Sequence, residues 1–186
     1  MLKTITVFCG SASTCPEKYN IMAREVGGVI ARQGRRLVYG SGSRGLMGIV
    51  AKAAQAEGGY VIGVNVKRFE GSKYALEVDE YTMTETMQDR KVELISQGDA
   101  CIALPGGVGT LDELTEIFSL AQLGILVKPF GILNYDHFFD GFLEQMRRAR
   151  EDNFLKERDM ARMLVAQDIE TLLHMLDEYA EREAGQ

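Results

Sequence analysis

Apolar runs and helical patterns alternate along the whole chain. The runs, rich in apolar and β-branched residues, predict strands at residues 4–9, 36–39, 60–64, 81–84, 100–104, 130–133 and 163–165. Apolar residues at helical spacing predict a first helix that ends near residue 33 and further helices over residues 46–57, 87–97, 111–123, 138–150 and 169–181. The stretch from Asn65 to Glu80 is the most polar and least regular.

The strand pattern indicates a parallel sheet. Most strands are continuous apolar runs, which is typical of strands covered by helices on both faces, and strands alternate with helices. The sequence contains no internal repeat, low-complexity tract or linker. It therefore predicts one α/β domain over residues 1–186, with a doubly wound, Rossmann-like parallel sheet.

Turns rich in glycine and serine follow three of the predicted strands, at residues 10–13, 40–45 and 106–110. In doubly wound sheets, ligands bind outside the carboxyl ends of the strands. The three turns meet there only if their strands are neighbours. Their shared composition leads us to expect that they are.

Composition narrows the function classes. The chain has 186 residues, of which 46% are hydrophobic and 26% charged, with a net charge of −6 and a pI near 5.1. A duplex nucleic-acid binder would present a basic surface, so we expect no nucleic-acid partner. The N-terminus lacks a signal-peptide pattern and no apolar run is long enough to span a bilayer, so we expect a cytoplasmic protein without a membrane partner.

The cysteines and histidines do not indicate a metal site. Cys9, Cys15 and Cys101 lack the spacing of metal ligands, and two of them lie in apolar strand patterns, so we expect buried free thiols. His137 and His174 have no carboxylate or cysteine at ligand spacing. We expect neither a metal nor a cofactor.

The turn after the strand at 100–104 is the strongest candidate for a phosphate site. Pro105 is followed by Gly106, Gly107, Val108, Gly109 and Thr110, and a helical pattern begins at Leu111. Glycines let the backbone approach a ligand closely, and the first amides of a helix carry partial positive charge. The turn is not a Walker A loop, because no Gly-Lys-Ser/Thr follows the glycines.

A second interpretation of Thr110-Leu-Asp-Glu113 is a capping box, in which Thr110 is the N-cap and Glu113 reaches back to it. A cap does not need three preceding glycines, which favours the phosphate site. A carboxylate beside a phosphate is electrostatically unfavourable. Glu113 is therefore expected to have a role other than holding phosphate.

The turn at residues 40–45 matches the Gly-x-Gly-x-x-Gly pattern of dinucleotide-binding proteins. It follows the second strand rather than the first, and the next strand ends in Val64-Asn65 without the acidic residue that binds an NAD ribose. We interpret the turn, which includes Gly42, as one that lines a nucleotide pocket. Dinucleotide binding is the alternative.

Arg90 and Lys91 form a basic pair near the start of the predicted helix at 87–97. One interpretation is a solvated pair, and the other makes Arg90 a bidentate partner for a phosphate or a carboxylate. Spacing alone favours the solvated pair. This helix precedes the strand at 100–104, so its start need not lie near the end of that strand.

Two motifs together resemble the LONELY GUY (LOG) family, long mislabelled as lysine decarboxylases. The motifs are Met87-x-x-Arg90-Lys91 and Pro105-Gly-Gly-x-Gly-Thr-x-x-Glu113. Similarity also covers Val7-Phe-Cys-Gly-Ser11, Gly45-Leu-Met-Gly48, Ala121-Gln-Leu-Gly124 and Lys128-Pro129. Nothing in the sequence indicates the pyridoxal-phosphate lysine that a decarboxylase would need.

The resemblance implies hydrolysis of the N-glycosidic bond of a nucleoside 5′-monophosphate, in this family a cytokinin riboside monophosphate, to free base and ribose 5-phosphate. It implies that Arg90 and Glu113 are the catalytic pair, because a carboxylate stabilises positive charge on the ribose. The implied substrate contacts are Lys91, Gly106, Gly107, Val108, Gly109, Thr110 and Ser119. From the other two turns we expect Gly10, Ser11 and Gly42 to contribute.

Two differences from the family pattern bear on which base the substrate carries. Ser41 and Arg44 differ from the commoner Gly-Gly-Gly-Asn-Val-Gly turn, and residues 65–81 do not align with a stretch that often supplies a further glutamate. The resemblance also implies a homodimer with substrate pockets near the subunit interface. Alternative functions are a non-catalytic nucleotide carrier on the same fold, a nucleosidase for plain AMP or another purine nucleotide, and an NAD-linked oxidoreductase.

Overall fold

All seven predicted strands are present in the computed structural model, which describes residues 1–71 and 76–185; residues 72–75 of the polar segment lie outside the described residues. The strands are β1 (Thr4–Phe8), β2 (Arg36–Tyr39), β3 (Val61–Val66), β4 (Glu80–Thr84), β5 (Ala100–Ala103), β6 (Phe130–Leu133) and β7 (Met163–Ala166). The helices are α1 (Glu17–Arg32), α2 (Gly45–Ala56), α3 (Met87–Gln97), α4 (Val108–Gln122), α5 (Asp140–Glu151), α6 (Glu157–Met160) and α7 (Ile169–Ala184). Short 3-10 turns occupy Lys67–Phe69 and Tyr135–His137.

The strands form one parallel sheet in the order β4-β3-β2-β1-β5-β6-β7. β1 lies at the centre, with Thr6 opposite Val38 of β2 and Cys101 of β5. The chain winds outward from β1 to β4 on one side and then from β5 to β7 on the other. The boundary between β1 and β5 is therefore the topological switch point, and the predicted doubly wound α/β fold is confirmed.

Two hydrophobic cores lie on the two faces of the sheet. One packs α1, α2 and α7 against strand residues such as Ile5, Tyr39 and Ile102. The other packs α3, α4 and α5 against their strand neighbours, such as Val38 and Cys101. Alternate residues of a strand point to opposite faces, so the continuous apolar runs of the sequence fill both cores.

The start of α4 differs from the prediction more than other helix starts. The sequence pattern places it at Leu111, whereas the helix begins at Val108 with Gly107 as its N-cap. The extended backbone of Gly107 allows the helix to start inside the glycine turn. The turn and the first turn of α4 are thus the same piece of backbone.

Lys128 closes the C-terminal end of α3. Its ammonium donates to the carbonyls of Ile95 at 2.7 Å and Ser96 at 3.2 Å, and also to that of Gly98. Carbonyls at a helix C-terminus have no intrahelical partner, so a lysine there satisfies them and complements the helix dipole. This contact fixes α3, which carries the basic pair, against the segment that leads into β6.

Candidate active site

The three glycine- and serine-rich turns meet at the carboxyl edge of the sheet. They follow β2, β1 and β5, which are adjacent, so the expectation that their strands are neighbours is confirmed. Between them lies a cavity of about 800 Å³, a size typical of small-molecule sites. Its lining includes every predicted site residue except one, namely Gly10, Ser11, Gly42, Arg90, Lys91, Gly106, Gly107, Val108, Gly109, Thr110 and Glu113.

Gly10 joins the three turns through its backbone. Its amide donates to the Pro105 carbonyl at 3.1 Å, and its carbonyl accepts from the Leu46 amide at 2.9 Å. A Cβ at position 10 would lie 3.2 Å from the Gly106 α-carbon, which is tighter than an ordinary contact. The backbone at Gly10 thus connects the turn after β1 with the turn after β5 and with the start of α2.

The N-terminus of α4 opens into the cavity. The first amide that bonds back along the helix is that of Leu111, which donates to the Gly107 carbonyl at 3.1 Å. The preceding amides, of Val108, Gly109 and Thr110, have no partner within the helix and lie at the positive end of its dipole. Residues 107–109 are exposed, so an anion can approach these amides directly.

The capping-box interpretation of Thr110 is wrong. Thr110 lies inside the first turn of α4, because Gly107 takes the N-cap position. The Thr110 side chain is buried against Gly106, where a Cβ would collide with the threonine hydroxyl. The Glu113 side chain forms an ion pair with Arg90 instead of capping the helix.

The Gly-x-Gly-x-x-Gly turn does not offer a second phosphate site of the dinucleotide type. At the start of α2, the Leu46 amide is already bonded to the Gly10 carbonyl. Gly40 leaves room for the Arg90 guanidinium, which a Cβ at this position would overlap. Gly45 has a φ of 56°, a conformation that favours glycine. These local roles account for Gly40 and Gly45 without a dinucleotide.

Arg90 reaches the floor of the cavity from the first turns of α3. This helix starts at the carboxyl edge because it follows β4, and Thr86 and Asp89 form a capping box at its start. The Arg90 Nε donates to the Val64 carbonyl at 3.1 Å, and its Nη2 donates to the Gly40 carbonyl at 3.0 Å. The interpretation of a solvated pair is wrong, since the arginine is buried and held by two backbone carbonyls.

Glu113 faces Arg90 across the cavity floor. Its Oε1 lies 3.7 Å from the Arg90 Nη1, and the two side chains are 15% and 11% exposed. Burial raises the pKa of the Glu113 carboxyl to about 7, against the opposing charge of Arg90. Burial also lowers the pKa of the Arg90 guanidinium, which nevertheless stays charged. The pair places a carboxyl that titrates near neutrality beside a fixed cation.

Lys91, the next residue on α3, points toward α4. Its Nζ lies 2.5 Å from the Glu116 Oε2 and 3.1 Å from the Asp112 Oδ2. The residue is 8% exposed. Its close contact with the Glu116 carboxylate raises the pKa of the ammonium, so Lys91 stays charged at neutral pH.

Ser119 is the predicted contact that the structure places outside the cavity. It lies on α4 and is exposed. Six residues separate it from Glu113, and six residues of α-helix advance about 9 Å along the axis. Ser119 therefore lies away from the cavity of its own chain, and its contact with a substrate stays a prediction.

The sequence did not reveal the apolar wall of the cavity. The wall consists of Cys15, Pro16, Tyr19, Leu46, Met47, Phe69, Met87 and Phe138. Within it, the rings of Tyr19 and Phe138 pack edge to face with centroids 5.6 Å apart. These residues come from five separate connections, so no local motif marks them. Their common signal is position, since all lie in or next to a connection that leaves the carboxyl edge.

The cysteines are free thiols, as expected, but Cys15 is half-buried rather than buried. Burial raises the pKa of Cys9 far above neutrality and that of Cys101 to about 12. Within residues 1–71 and 76–185, no cluster of three or more His, Cys, Asp or Glu side chains is arranged to hold a metal ion. In the same part of the chain, no helix has the length and apolar character needed to cross a membrane.

Known proteins resemble this chain along nearly its whole length. A family profile described as "Possible lysine decarboxylase" matches residues 47–176. The cytokinin riboside 5′-monophosphate phosphoribohydrolase LOG of Oryza sativa subsp. japonica is 41% identical over 185 residues, which cover 98% of this chain and 76% of that protein. The Arabidopsis thaliana phosphoribohydrolase LOG2 is 37% identical over 178 residues, which cover 95% and 84%.

Solved structures share the architecture. The Moco carrier protein of Chlamydomonas reinhardtii has a TM-score of 0.74 at 21% identity, over 98% of this chain and 99% of that one. The molybdenum cofactor binding protein of Rippkaea orientalis has a TM-score of 0.73 at 21% identity, over 96% and 97%. At this level of identity the likeness supports the fold alone.

The sequence matches, in contrast, extend through α3 and α4 and include both halves of the site. The profile spans the helix that carries Arg90 and the helix that carries Glu113. The matched relatives from two plants carry one and the same enzyme name. The chain therefore belongs to the LONELY GUY (LOG) family of cytokinin riboside 5′-monophosphate phosphoribohydrolases.

Proposed function

We propose that this protein hydrolyses the N-glycosidic bond of an adenosine 5′-monophosphate that carries an N6 substituent, and releases the free base and ribose 5-phosphate. The observation that carries the proposal is the buried pair of Arg90 and Glu113, 3.7 Å apart beside the open N-terminus of α4. The helix N-terminus would bind the phosphate, and the Glu113 carboxylate would stabilise positive charge. The names of the family members support this substrate class.

The phosphate is proposed to lie at the N-terminus of α4. The amides of residues 108–110 and the helix dipole favour a dianion there. Gly10 and Gly106 keep the adjoining backbone free of side chains, so the phosphate can approach closely. Ser11, exposed in the turn after β1, supplies a hydroxyl at the edge of the same cavity.

The ribose is proposed to lie over Glu113, about one helical turn from the phosphate amides. When the bond from the anomeric carbon to the base nitrogen breaks, its electron pair leaves with the base and positive charge develops on the ribose. The Glu113 carboxylate stabilises that charge and orients water. The water oxygen joins the anomeric carbon, and the water proton is passed to the departing base. Arg90 orients the substrate and stabilises the leaving base.

The base is proposed to lie against the part of the apolar wall next to Arg90, where the Met47 side chain lies. A cavity of about 800 Å³ has room for a nucleotide that carries a further group on its base, and apolar side chains of the lining could contact that group. The additional apolar surface favours an N6 substituent over plain AMP. Ser41 and Arg44, the departures from the family turn, lie in the same lining and can adjust base preference.

The test is incubation of the purified protein with AMP and with N6-isopentenyl-AMP, followed by chromatography for free base. We expect base from both, with faster release from the isopentenyl substrate. Equal or faster release from AMP would contradict the assigned base class but not the reaction. Nucleotide that binds without any base release would contradict the hydrolase and favour the carrier.

Turnover is expected to increase with pH through about pH 7. Below this pH the Glu113 carboxyl, whose pKa burial raises to about 7, is protonated and cannot stabilise a cation. Above it the carboxylate is charged and active, while Arg90 remains a cation. The measurement is kcat/KM for base release between pH 5 and pH 9, which reports the ionisation of the free enzyme.

Asp112→Asn is the control for this pH profile. The Asp112 charge raises the pKa of Glu113, so its removal shifts the midpoint to lower pH. A midpoint caused by the substrate phosphate, which titrates near pH 6, would not move. Activity that falls as pH rises through 7 would instead assign Glu113 as a general acid.

We further propose that two copies of the chain associate through the face of α3, α4 and the connection after α4. Val92, Leu123, Ile125 and Val127 lie in these elements and are each at least 62% exposed. Ser119, which the family resemblance assigns to substrate binding, is exposed on α4. A second copy of the chain would cover these apolar side chains, and Ser119 of one copy would lie near the cavity of the other.

Val92→Glu combined with Leu123→Glu is expected to convert the dimer to a monomer in sedimentation velocity experiments, because charges in an apolar interface are costly. Ile21→Glu is the matched control, since Ile21 is exposed on α1 and belongs to the opposite layer of helices. The control variant should remain a dimer. A wild-type protein that sediments as a monomer at micromolar concentrations contradicts the proposal.

A further inference from the structure

We propose that Lys91 is a positioning residue that clamps two successive turns of α4 and thereby holds Glu113 opposite Arg90. The proposal rests on the hydrolysis proposed above and concerns how its catalytic pair is placed. It gives Lys91 a role other than the substrate contact that the family resemblance implies.

A single ammonium group joins α3 to α4 at two points. The Lys91 Nζ lies 3.1 and 3.3 Å from the two carboxylate oxygens of Asp112 and 2.5 Å from the Glu116 Oε2. Asp112 and Glu116 are four residues apart, so they lie on one face of α4 about 6 Å apart along its axis. Glu113 lies between them in the chain. The clamp therefore spans the turn that carries the catalytic carboxyl.

Lys91 has little freedom to serve another partner. Its side chain is 10% exposed, and the Glu116 oxygen that it contacts is buried. Moving the ammonium onto a substrate phosphate would leave the Asp112 and Glu116 carboxylates unpaired beside Glu113. Asp112 is exposed and would be hydrated, but the Glu116 carboxylate, 28% exposed, would lose its counter-ion in a partly desolvated position, which is unfavourable.

The two basic residues of α3 pair with different carboxylates of α4. Consecutive residues of a helix point about 100° apart. Arg90 accordingly turns to the sheet and to Glu113, whereas Lys91 turns to Asp112 and Glu116. A shift of α4 along its axis would change the position of Glu113 relative to Arg90, and a misplacement of about 1 Å can lower a rate roughly 100-fold.

The clamp also sets the electrostatic surroundings of Glu113. The titratable and charged groups that face its carboxyl are Arg90 and Lys91 from α3, Asp112 and Glu116 from α4, Cys9 directly after β1 and Cys101 from β5. The positive charge of Lys91 lowers the pKa of Glu113, whereas the negative charge of Glu116 raises it. Loss of Lys91 therefore moves this pKa up, and loss of Glu116 moves it down.

The test compares Lys91→Met, Glu116→Met and the double variant with the wild type in the base-release assay. Each single variant is expected to lower kcat roughly 10- to 100-fold while KM changes less than about threefold. The double variant should be no slower than the slower single variant, because both substitutions remove one clamp. The midpoint of the pH profile should move up in Lys91→Met and down in Glu116→Met.

Arg147→Met is the matched control. Arg147 pairs with Glu144 and Glu151 on the exposed face of α5, outside the cavity lining, so its loss should leave kcat and the pH midpoint unchanged. If Lys91→Met does not fold, Glu116→Met alone tests the proposal: a lower kcat and a lower pH midpoint support the clamp, and unchanged values contradict it. Circular dichroism establishes which variants fold.

Either of two results overturns the proposal. An increased KM and weaker inhibition by ribose 5-phosphate in Lys91→Met, with kcat unchanged and Glu116→Met unaffected, would place Lys91 on the substrate phosphate. Additive losses in the double variant would show that the two residues act separately. A wild-type protein that releases no base refutes the hydrolysis and the clamp together, whereas these two results refute the clamp alone.

Discussion

Glu113→Gln is expected to lower kcat/KM for base release by roughly 100- to 1000-fold, with the fold retained. Glutamine has the same shape but cannot carry the negative charge that stabilises the developing cation. The substitution removes the counter-ion of the buried Arg90 guanidinium, so we expect some loss of stability, although burial of Glu113 already disfavours its charged form. Base release by chromatography and thermal unfolding by circular dichroism measure the two quantities.

Nucleotide binding separates this loss of chemistry from a loss of affinity. AMP binding by calorimetry should change little, because the proposed phosphate contacts come from the amides at the start of α4. Glu178→Gln is the control, since Glu178 is exposed on α7 and pairs only with His174 among the ion pairs of the described residues. Turnover near the wild-type level in folded Glu113→Gln would refute the assigned role of the carboxylate.

Arg90→Met is expected to produce the second large effect, a loss of roughly 100-fold or more in kcat/KM together with reduced stability. The substitution removes the cation beside Glu113 and leaves the Val64 and Gly40 carbonyls without the donors they have in the wild type. An unsatisfied buried acceptor costs about 1–3 kcal/mol. Base release and the free energy of unfolding from urea titration measure both effects.

Arg90→Lys tests whether charge alone is sufficient. A lysine keeps the positive charge, but one ammonium cannot replace a planar group whose Nε and Nη2 bond to two carbonyls while Nη1 faces Glu113. We expect stability nearer to the wild type with turnover still at least about tenfold lower. Full turnover in Arg90→Lys would show that the shape of the guanidinium is unimportant.

The fold could be predicted from the sequence because its signals are local. Continuous apolar strands between amphipathic helices indicate a parallel sheet, and glycine-rich turns mark the carboxyl ends where ligands bind. Strand order is not a local property. The sequence could therefore suggest, but not establish, that the turns after β1, β2 and β5 are adjacent.

The candidate site was predictable where its residues form motifs and unpredictable where the tertiary structure brings them together. Spacing favours a solvated Arg90, whereas α3 follows the parallel strand β4 and therefore begins at the carboxyl edge of the sheet, as α4 does after β5. The burial of Arg90 there depends on its contacts with the Val64 and Gly40 carbonyls, which spacing does not show. The pattern of apolar residues begins at Leu111 and so suggests Thr110 as an N-cap, whereas the helix starts earlier, at glycines that do not contribute to that pattern. The apolar wall has no motif, since its side chains come from five connections.

The backbone of Gly10 has a consequence for how the site moves. Its amide donates to the Pro105 carbonyl and its carbonyl accepts from the Leu46 amide. The backbone of this one residue therefore connects the turn proposed to bind phosphate with the turn that leaves room for Arg90. Neither turn can separate from β1 without breaking one of these bonds. Local opening should therefore involve all three turns as one cooperative unit. Ribose 5-phosphate, which lacks the base, should on binding at α4 slow amide hydrogen exchange at the start of α2 through these backbone bonds.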